Sequence, residues 1–177
     1  MTMKTTRLFP VLILAGLVGC NDHQDHAARQ QATGKVEMSM KSTNARIVAL
    51  KAKTTDCNIE RINHIDFEPS TPTIKAGQAA VVDGWLIDVA HKTVPGDVLL
   101  RVESEAGDKA WEQPVTAWGD RGDIVSSRGG VTEYQKSGFT TQLVLGALVP
   151  GAYNIYLVYG PAGEQVACGV GRRFYVK

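Results

Sequence analysis

The sequence predicts an all-β fold, an antiparallel immunoglobulin-like β-sandwich of about seven strands. Three observations carry the prediction. From Cys57 onward apolar residues recur with period two, turn residues punctuate the chain at short intervals, and no segment shows an apolar period of 3.6. Side chains alternate across a strand, so Phe139, Thr141, Leu143, Leu145 and Ala147 share one face, with Thr140 and Gln142 on the other. Tyr153, Ile155, Leu157 and Tyr159 repeat the scheme after Pro150-Gly151, and the two runs read as a hairpin. Further strands are predicted over 58–67, 79–89, 98–104 and 165–176, bounded by Pro69, Gly77, Pro95-Gly96, Gly107 and Gly160-Pro161. Trp85, inside the apolar run of 79–89, is assigned to the core.

Ahead of the sandwich the chain has a different character. Lys4 and Arg7 precede an apolar run from Leu8 to Gly19, which turns abruptly polar at Asn21-Asp22-His23-Gln24-Asp25-His26. That is the layout of an export signal. A helix needs roughly 20 apolar residues to span a hydrocarbon core, so the run is too short for a permanent transmembrane segment. The junction Leu17-Val18-Gly19-Cys20 resembles the lipobox of bacterial lipoproteins, in which the cysteine thiol takes a diacylglycerol. An ordinary cleavage site beside a chance cysteine is the alternative. The resemblance implies a signal peptide over 1–19, lipidation at Cys20, a tether over 20–45 and a β-sandwich domain over 46–177. It also implies membrane attachment through the N-terminal lipid, since two or three acyl chains anchor stably where one binds only marginally. Asn21, rather than Asp, follows Cys20 and favours the outer membrane of the cell envelope over inner-membrane retention. Val36, Met38 and Met40 alternate, and Ile47 to Leu50 is a short apolar run. Either is a strand beside the domain or part of the tether.

Charge excludes one class of partner. Without residues 1–19 the 19 basic residues become 17 against 18 acidic ones, a net charge of −1, and no basic cluster is present. Nucleic acid binding needs such a footprint. After Cys20 the remaining cysteines are Cys57 and Cys168, and an even pair in a small exported domain usually forms a disulfide. Closing a loop of about 110 residues is worth on the order of 4–5 kcal/mol in the chain-entropy model. Two buried free thiols are the alternative.

A looser pattern runs through residues 57–177: Gly84-Trp85-Leu86-Ile87-Asp88, Pro95 with Val98-Leu99-Leu100-Arg101-Val102, Arg121-Gly122-Asp123-Ile124-Val125, Ser137-Gly138-Phe139, and Leu148-Val149-Pro150-Gly151-Ala152-Tyr153. It resembles small β-sandwich modules of bacterial envelope proteins, some appended to polysaccharide-assembly membrane enzymes. Those modules often carry Pro where this chain has Gly122. The resemblance implies the fold more than any activity.

The stretch 111–134 holds the candidate binding residues Trp111, Trp118, Arg121, Asp123, Arg128 and Tyr134, together with Asp120, among glycines between two strand regions. Aromatic faces bury area while guanidinium and carboxylate fix orientation, which suits a sugar or a protein partner. Tryptophans that close the core over a solvated charged loop are the competing reading. His64 and Asp66, two residues apart on one predicted strand face, form half of a nucleophilic site, without a Gly-x-Ser-x-Gly elbow to accompany them. His23 and His26 with Asp22 and Asp25 lie in the predicted tether, where ordering the backbone costs about 1–2 kcal/mol per residue, so they read as spacer rather than metal site. His91 stands alone beside a turn, and Arg121-Gly122-Asp123 is a three-residue word that also suits a turn. No pattern calls for a cofactor. The favoured expectation is a non-catalytic, lipid-anchored envelope module that recognises a protein partner or an envelope glycan. The alternatives are an envelope hydrolase using His64 and Asp66, and a structural or assembly accessory.

Overall fold

The structure is a computed structural model that describes residues 40–43, 52–107, 109–168 and 170–177. The expected signal peptide, Cys20, the histidines at 23 and 26, and the runs at 36–39 and 47–50 lie outside the described residues. All described residues belong to one compact unit.

Two sheets face each other. The smaller has five strands, in the order β4 (Ile65–Asp66), β3 (Cys57–Ile62), β6 (Ala79–Leu86), β10 (Gly138–Val144) and β9 (Trp118–Gly119). The larger runs β1 (Lys41–Thr43), β8 (Ala110–Pro114), β7 (Val98–Ser104), β11 (Gly151–Tyr159), β12 (Val166–Cys168) and β2 (Ala52–Thr54). Along the same side of β11 it adds β13 (Arg172–Val176) and then β5 (Thr73–Ile74). The β2–β12 and β5–β13 pairs are parallel and the rest antiparallel. Among the described residues, seven strands are five residues or longer: β3, β6, β7, β8, β10, β11 and β13. With β9 they reproduce the immunoglobulin-like arrangement, β3-β6-β10-β9 standing as strands A-B-E-D and β8-β7-β11-β13 as C′-C-F-G.

Alternation builds the core. On β6, Ala80, Val82, Gly84 and Leu86 face inward while Val81, Asp83 and Trp85 face outward. Leu100 and Val102 of β7 and Ile155 and Leu157 of β11 meet them, all fully buried. Each such side chain is worth about 1.5–3 kcal/mol of burial. Tyr153 stacks on Phe174 at 5.7 Å and tilts against Trp111 at 6.0 Å. Its hydroxyl donates to the Val149 carbonyl at 2.7 Å, four residues upstream. That contact is the tyrosine corner of immunoglobulin-like sandwiches.

Several predicted elements are corrected. Residues 139–147 and 153–159 are not a hairpin. β10 pairs with β6 and β9 in the small sheet, whereas β11 pairs with β7, β12 and β13 in the large one. After Val144 the chain makes a 3-10 turn over Leu145–Ala147, which buries Leu145 and Leu148, exposes Ala147 and carries the chain across the end of the sandwich. Predicted strand 58–67 is two strands joined at Asn63 and His64, whose φ angles of 50° and 63° reverse the chain. The predicted strand 165–176 is also two. Residues 41–43, which the sequence reading assigns to the tether, pair with β8.

Cys57 of the small sheet and Cys168 of the large one form a disulfide, both buried, closing a sequence separation of 111. A second link between the sheets is polar. Gln113 on β8 has no exposed surface, and its amide donates to the Gln142 carbonyl and accepts from the Val144 N–H at 3.3 Å. It serves β10 where β9, only two residues long, has ended.

Candidate functional site

The outer face of the small sheet carries a groove of about 230 Å³. Its polar wall is a cross-strand row. Arg61, Asp83 and Thr140 are consecutive register partners on β3, β6 and β10, so the sheet itself aligns them. The Thr140 hydroxyl donates to Asp83 Oδ1 at 2.8 Å, and Arg61 Nε stands 3.8 Å from Asp83 Oδ2.

The opposite wall comes from the excursion between β9 and β10. It holds α1 (Gly122–Ser127), a helix too short to show an amphipathic period. Ile124 and Tyr134 are buried there with Ile87, forming a satellite cluster on the outside of the sheet, with Trp85 packed against it. Trp85 is therefore not in the main core as expected: its side chain points outward from β6, with the Arg128 guanidinium 5.4 Å from its ring centroid. Arg128 also donates to Asp56 at 2.9 Å.

Arg121 closes the groove's end. Gly138 lets it lie flat, because a Cβ there would stand 2.7 Å from Arg121 Cγ. The guanidinium donates to both Glu60 oxygens at 3.1 and 3.0 Å and to both Asp123 oxygens at 2.8 and 2.7 Å. Glu60 reaches it because the register of β3 against β6 slips between Ile59 and Arg61, which leaves Glu60 as the extra residue of a bulge. Hydrogen bonding from Arg121 holds the Asp123 carboxyl down at about 2, against an opposing desolvation. The same bonds, those of Asp123 first, hold Arg121 well above its ordinary value. The Lys136 and Gln135 bonds lower Asp120 in the same way.

Trp118 borders the groove at the sheet edge but, as the register partner of inward-facing Phe139, packs its ring against the main core. It is partly buried on the edge strand β9 and set edge-to-face on Phe139, with ring centroids 6.3 Å apart. Gly84, Gly119 and Gly138 are among the lining residues, so part of the groove floor is backbone. A Cβ at Gly84 would fall 2.1 Å from the Asn58 carbonyl oxygen and 2.8 Å from the Phe139 ring.

No family model matches this chain, nor does any curated protein or solved structure. The geometry therefore sorts the six candidate binding residues by itself. Trp118 and Arg121 line the groove, and Asp123 fixes Arg121. Arg128 lies over Trp85 on the far side of the excursion. Trp111, 8 % exposed, and Tyr134, 2 % exposed, are packed in the main core and the satellite cluster and present no ring face to a ligand. Sequence reasoning missed Glu60, Arg61, Asp83 and Thr140. Alternation places Asp83 of 79–89 and Thr140 of 139–147 on the solvent face, and no such signal marks Glu60 or Arg61.

The histidines fall elsewhere. His64 sits exposed in the turn between β3 and β4, so it does not share a strand face with Asp66 as predicted. His91 is not alone, since its Nδ1 lies 2.6 Å from Asp88 Oδ2. Burial acts to raise the Asp88 carboxyl, and the hydrogen bonds from His91 outweigh it and hold the group below its ordinary value.

Proposed function

We propose that this chain is a non-catalytic, lipid-anchored binding module of the bacterial cell envelope, attached through Cys20 and recognising an envelope glycan or a protein partner through the outer face of its small sheet. The observation that carries the recognition half is the groove, where hydrogen-bonding groups are held in place by their own pairs on the outer face of the small sheet. Ligand sites are concave, partly apolar and supplied with a few preset polar groups. Pairing before binding lowers the ordering cost of association. The anchoring half rests on the sequence Leu17-Val18-Gly19-Cys20 behind an apolar run.

Two measurements test the two halves. Cys20→Ala should move the protein out of the detergent phase while leaving its folded spectrum unchanged, and a variant as membrane-bound as the wild type refutes the anchor. A glycan array and a pulldown from envelope extract should return at least one specific ligand that a groove substitution abolishes. Two empty results refute the binding module.

A further inference from the structure

We infer that the outer face of the large sheet is a docking surface for the chain's own residues 44–51, whose apolar run Ile47-Val48-Ala49-Leu50 seats across it. The inference is independent of the binding reading above. Its consequence is that this face is withdrawn from outside partners, and that the domain takes in the chain from β1 onward.

Burial on the wrong side of the sheet is the first observation. Leu100 and Val102 of β7 and Ile155 and Leu157 of β11 face the core, so Arg101, Tyr156 and Val158 between and beside them face outward. Cross-strand partners share a face, which adds Ala110 opposite Glu103 and Ala167 opposite Val158. Outward residues of a two-sheet sandwich meet water unless something lies over them. Yet Arg101 is 1 % exposed, Val158 and Ala167 0 %, and Ala110 4 %. Val158 and Ala167, with Tyr156 packed against them, form a cluster separate from the main core. The described helical elements lie elsewhere: α1 and Thr132–Tyr134 on the small sheet, Leu145–Ala147 at the end of the sandwich.

The path of the chain names the cover. β1 and β2 stand at the two ends of the row β1-β8-β7-β11-β12-β2 and run in the same direction. Strands so oriented in one sheet are joined by a crossover over one of its faces, and the inner face is filled by the core. Thr43 is level with Ala110 and Glu103, and Ala52 is level with Val166, Tyr159 and Val98. Five strand spacings of about 4.8 Å and five residues of about 3.3 Å put these ends about 29 Å apart on a flat sheet. Nine residue steps reach at most about 30–32 Å. The link therefore takes a direct line, which passes beside Ala110, over Arg101, between Tyr156 and Val158, and over Ala167. The four outward residues buried most completely are on that line, whereas Pro114 off it is exposed and Leu99, Glu103 and Asn154 are half-buried.

The chemistry of the face fits a backbone lying over it. Arg101 Nε and Nη2 donate to Glu112, while Nη1 is buried without a hydrogen bond. A buried guanidinium donor calls for an acceptor, and every residue of a crossing chain carries a carbonyl oxygen. Around Arg101 the face is apolar at Val158, Ala167 and the Tyr156 ring, which suits four consecutive apolar residues and would not suit the polar stretch 21–34.

The experiment uses the full-length lipoprotein in detergent, with a diazirine-bearing amino acid at position 47 or, separately, at position 48. Successive side chains of an extended chain point to opposite sides, so one of the two positions meets the sheet whichever way the chain faces. Irradiation is expected to give, from at least one position, intramolecular crosslinks that peptide mapping places on β7, β11 or β12. Crosslinks that join two copies, detected by mixing isotope-labelled with unlabelled protein, overturn the inference, as does the absence of crosslinks to this face from both positions. A second measurement uses Ile47→Asp combined with Val48→Asp. Two carboxylates in a solvated tether change nothing, whereas one pushed onto an apolar face should lower the folding equilibrium constant about tenfold or more in urea unfolding. An unchanged constant overturns the inference. Should the double variant fail to fold, the crosslinks decide, because the single diazirine replacements keep the size and polarity of the native side chains.

Discussion

Replacing Gln113 by leucine removes a link between the sheets that no apolar side chain reproduces. The Gln113 amide is the partner of the Gln142 carbonyl and the Val144 N–H, both on β10 beyond the reach of β9. Each backbone group left unpaired away from water costs about 1–3 kcal/mol, or about 2–6 kcal/mol for the two. Leucine has similar volume and returns about 1–2 kcal/mol through apolar burial. A net loss of up to about 5 kcal/mol, centred on about 2–3 kcal/mol, is therefore expected, read from urea unfolding with an unchanged m-value, together with faster hydrogen exchange at the Val144 amide. Gln113→Glu separates hydrogen bonding from shape. A protonated acid donates to the Gln142 carbonyl as the amide does, whereas a carboxylate in this buried place repels it. The glutamate's folded pKa is thereby raised above the unfolded value of about 4.3. Stability of this variant is accordingly fullest below about pH 4 and falls as pH rises through the folded value. A Gln113→Leu protein within about 0.5 kcal/mol of wild type, with Val144 exchange unchanged, refutes the reasoning.

Three further outcomes follow from other features. Reducing the Cys57–Cys168 bridge, which spans a separation of 111 residues, should cost about 2–5 kcal/mol with little change in far-UV circular dichroism, and alkylation with intact mass counts the thiols. Asp123, held at about 2 by Arg121, ionises in the unfolded chain near 3.9. Its contribution is full above about pH 4 and is lost as pH falls towards 2, so wild type should lose more stability between pH 5 and pH 2 than Asp123→Asn does. Gly84→Ala drives a methyl into the Asn58 carbonyl and the Phe139 ring and should destabilise by about 3 kcal/mol in thermal or urea unfolding.

Period two told the direction of side chains well. The predicted strand 98–104 has the bounds of β7, and the alternation over 153–159 identifies the inward face of β11. Pairing is a separate property. The inner faces of β10 and β11 look alike in sequence whether the strands lie side by side or in opposite sheets, and a short Pro150-Gly151 link permits either. The 3-10 turn through Leu145 and Leu148 decides it, and only burial of those two leucines marks it. Trp111 and Trp118 are the same residue seven positions apart. Both pair with inward-facing residues, Val102 and Phe139, but Trp111 lies within the large sheet and is buried, while Trp118 sits on a two-residue edge and is only partly covered. The groove was half legible for a related reason. Arg121 and Trp118 stand out in a glycine-rich stretch, but Glu60 joins Arg121 across 61 residues through a bulge that adds one residue without altering composition.

The placement of the disulfide also sets a mechanical load path. A pull entering from the N-terminal side meets β1 and β2 first, each a three-residue strand at one edge of the large sheet. β1 pairs with β8 and β2 with β12. Three residues past Thr54 the chain reaches Cys57, which is covalently joined to Cys168 and through it to the opposite sheet. Tension that strips the edge strands is therefore stopped there and divided between two sheets, while three more residues along β3 lie Glu60 and the groove. Anything gripped at that groove is connected to β2 by a short, covalently braced length of chain, and the remainder of the core stays out of the line of force.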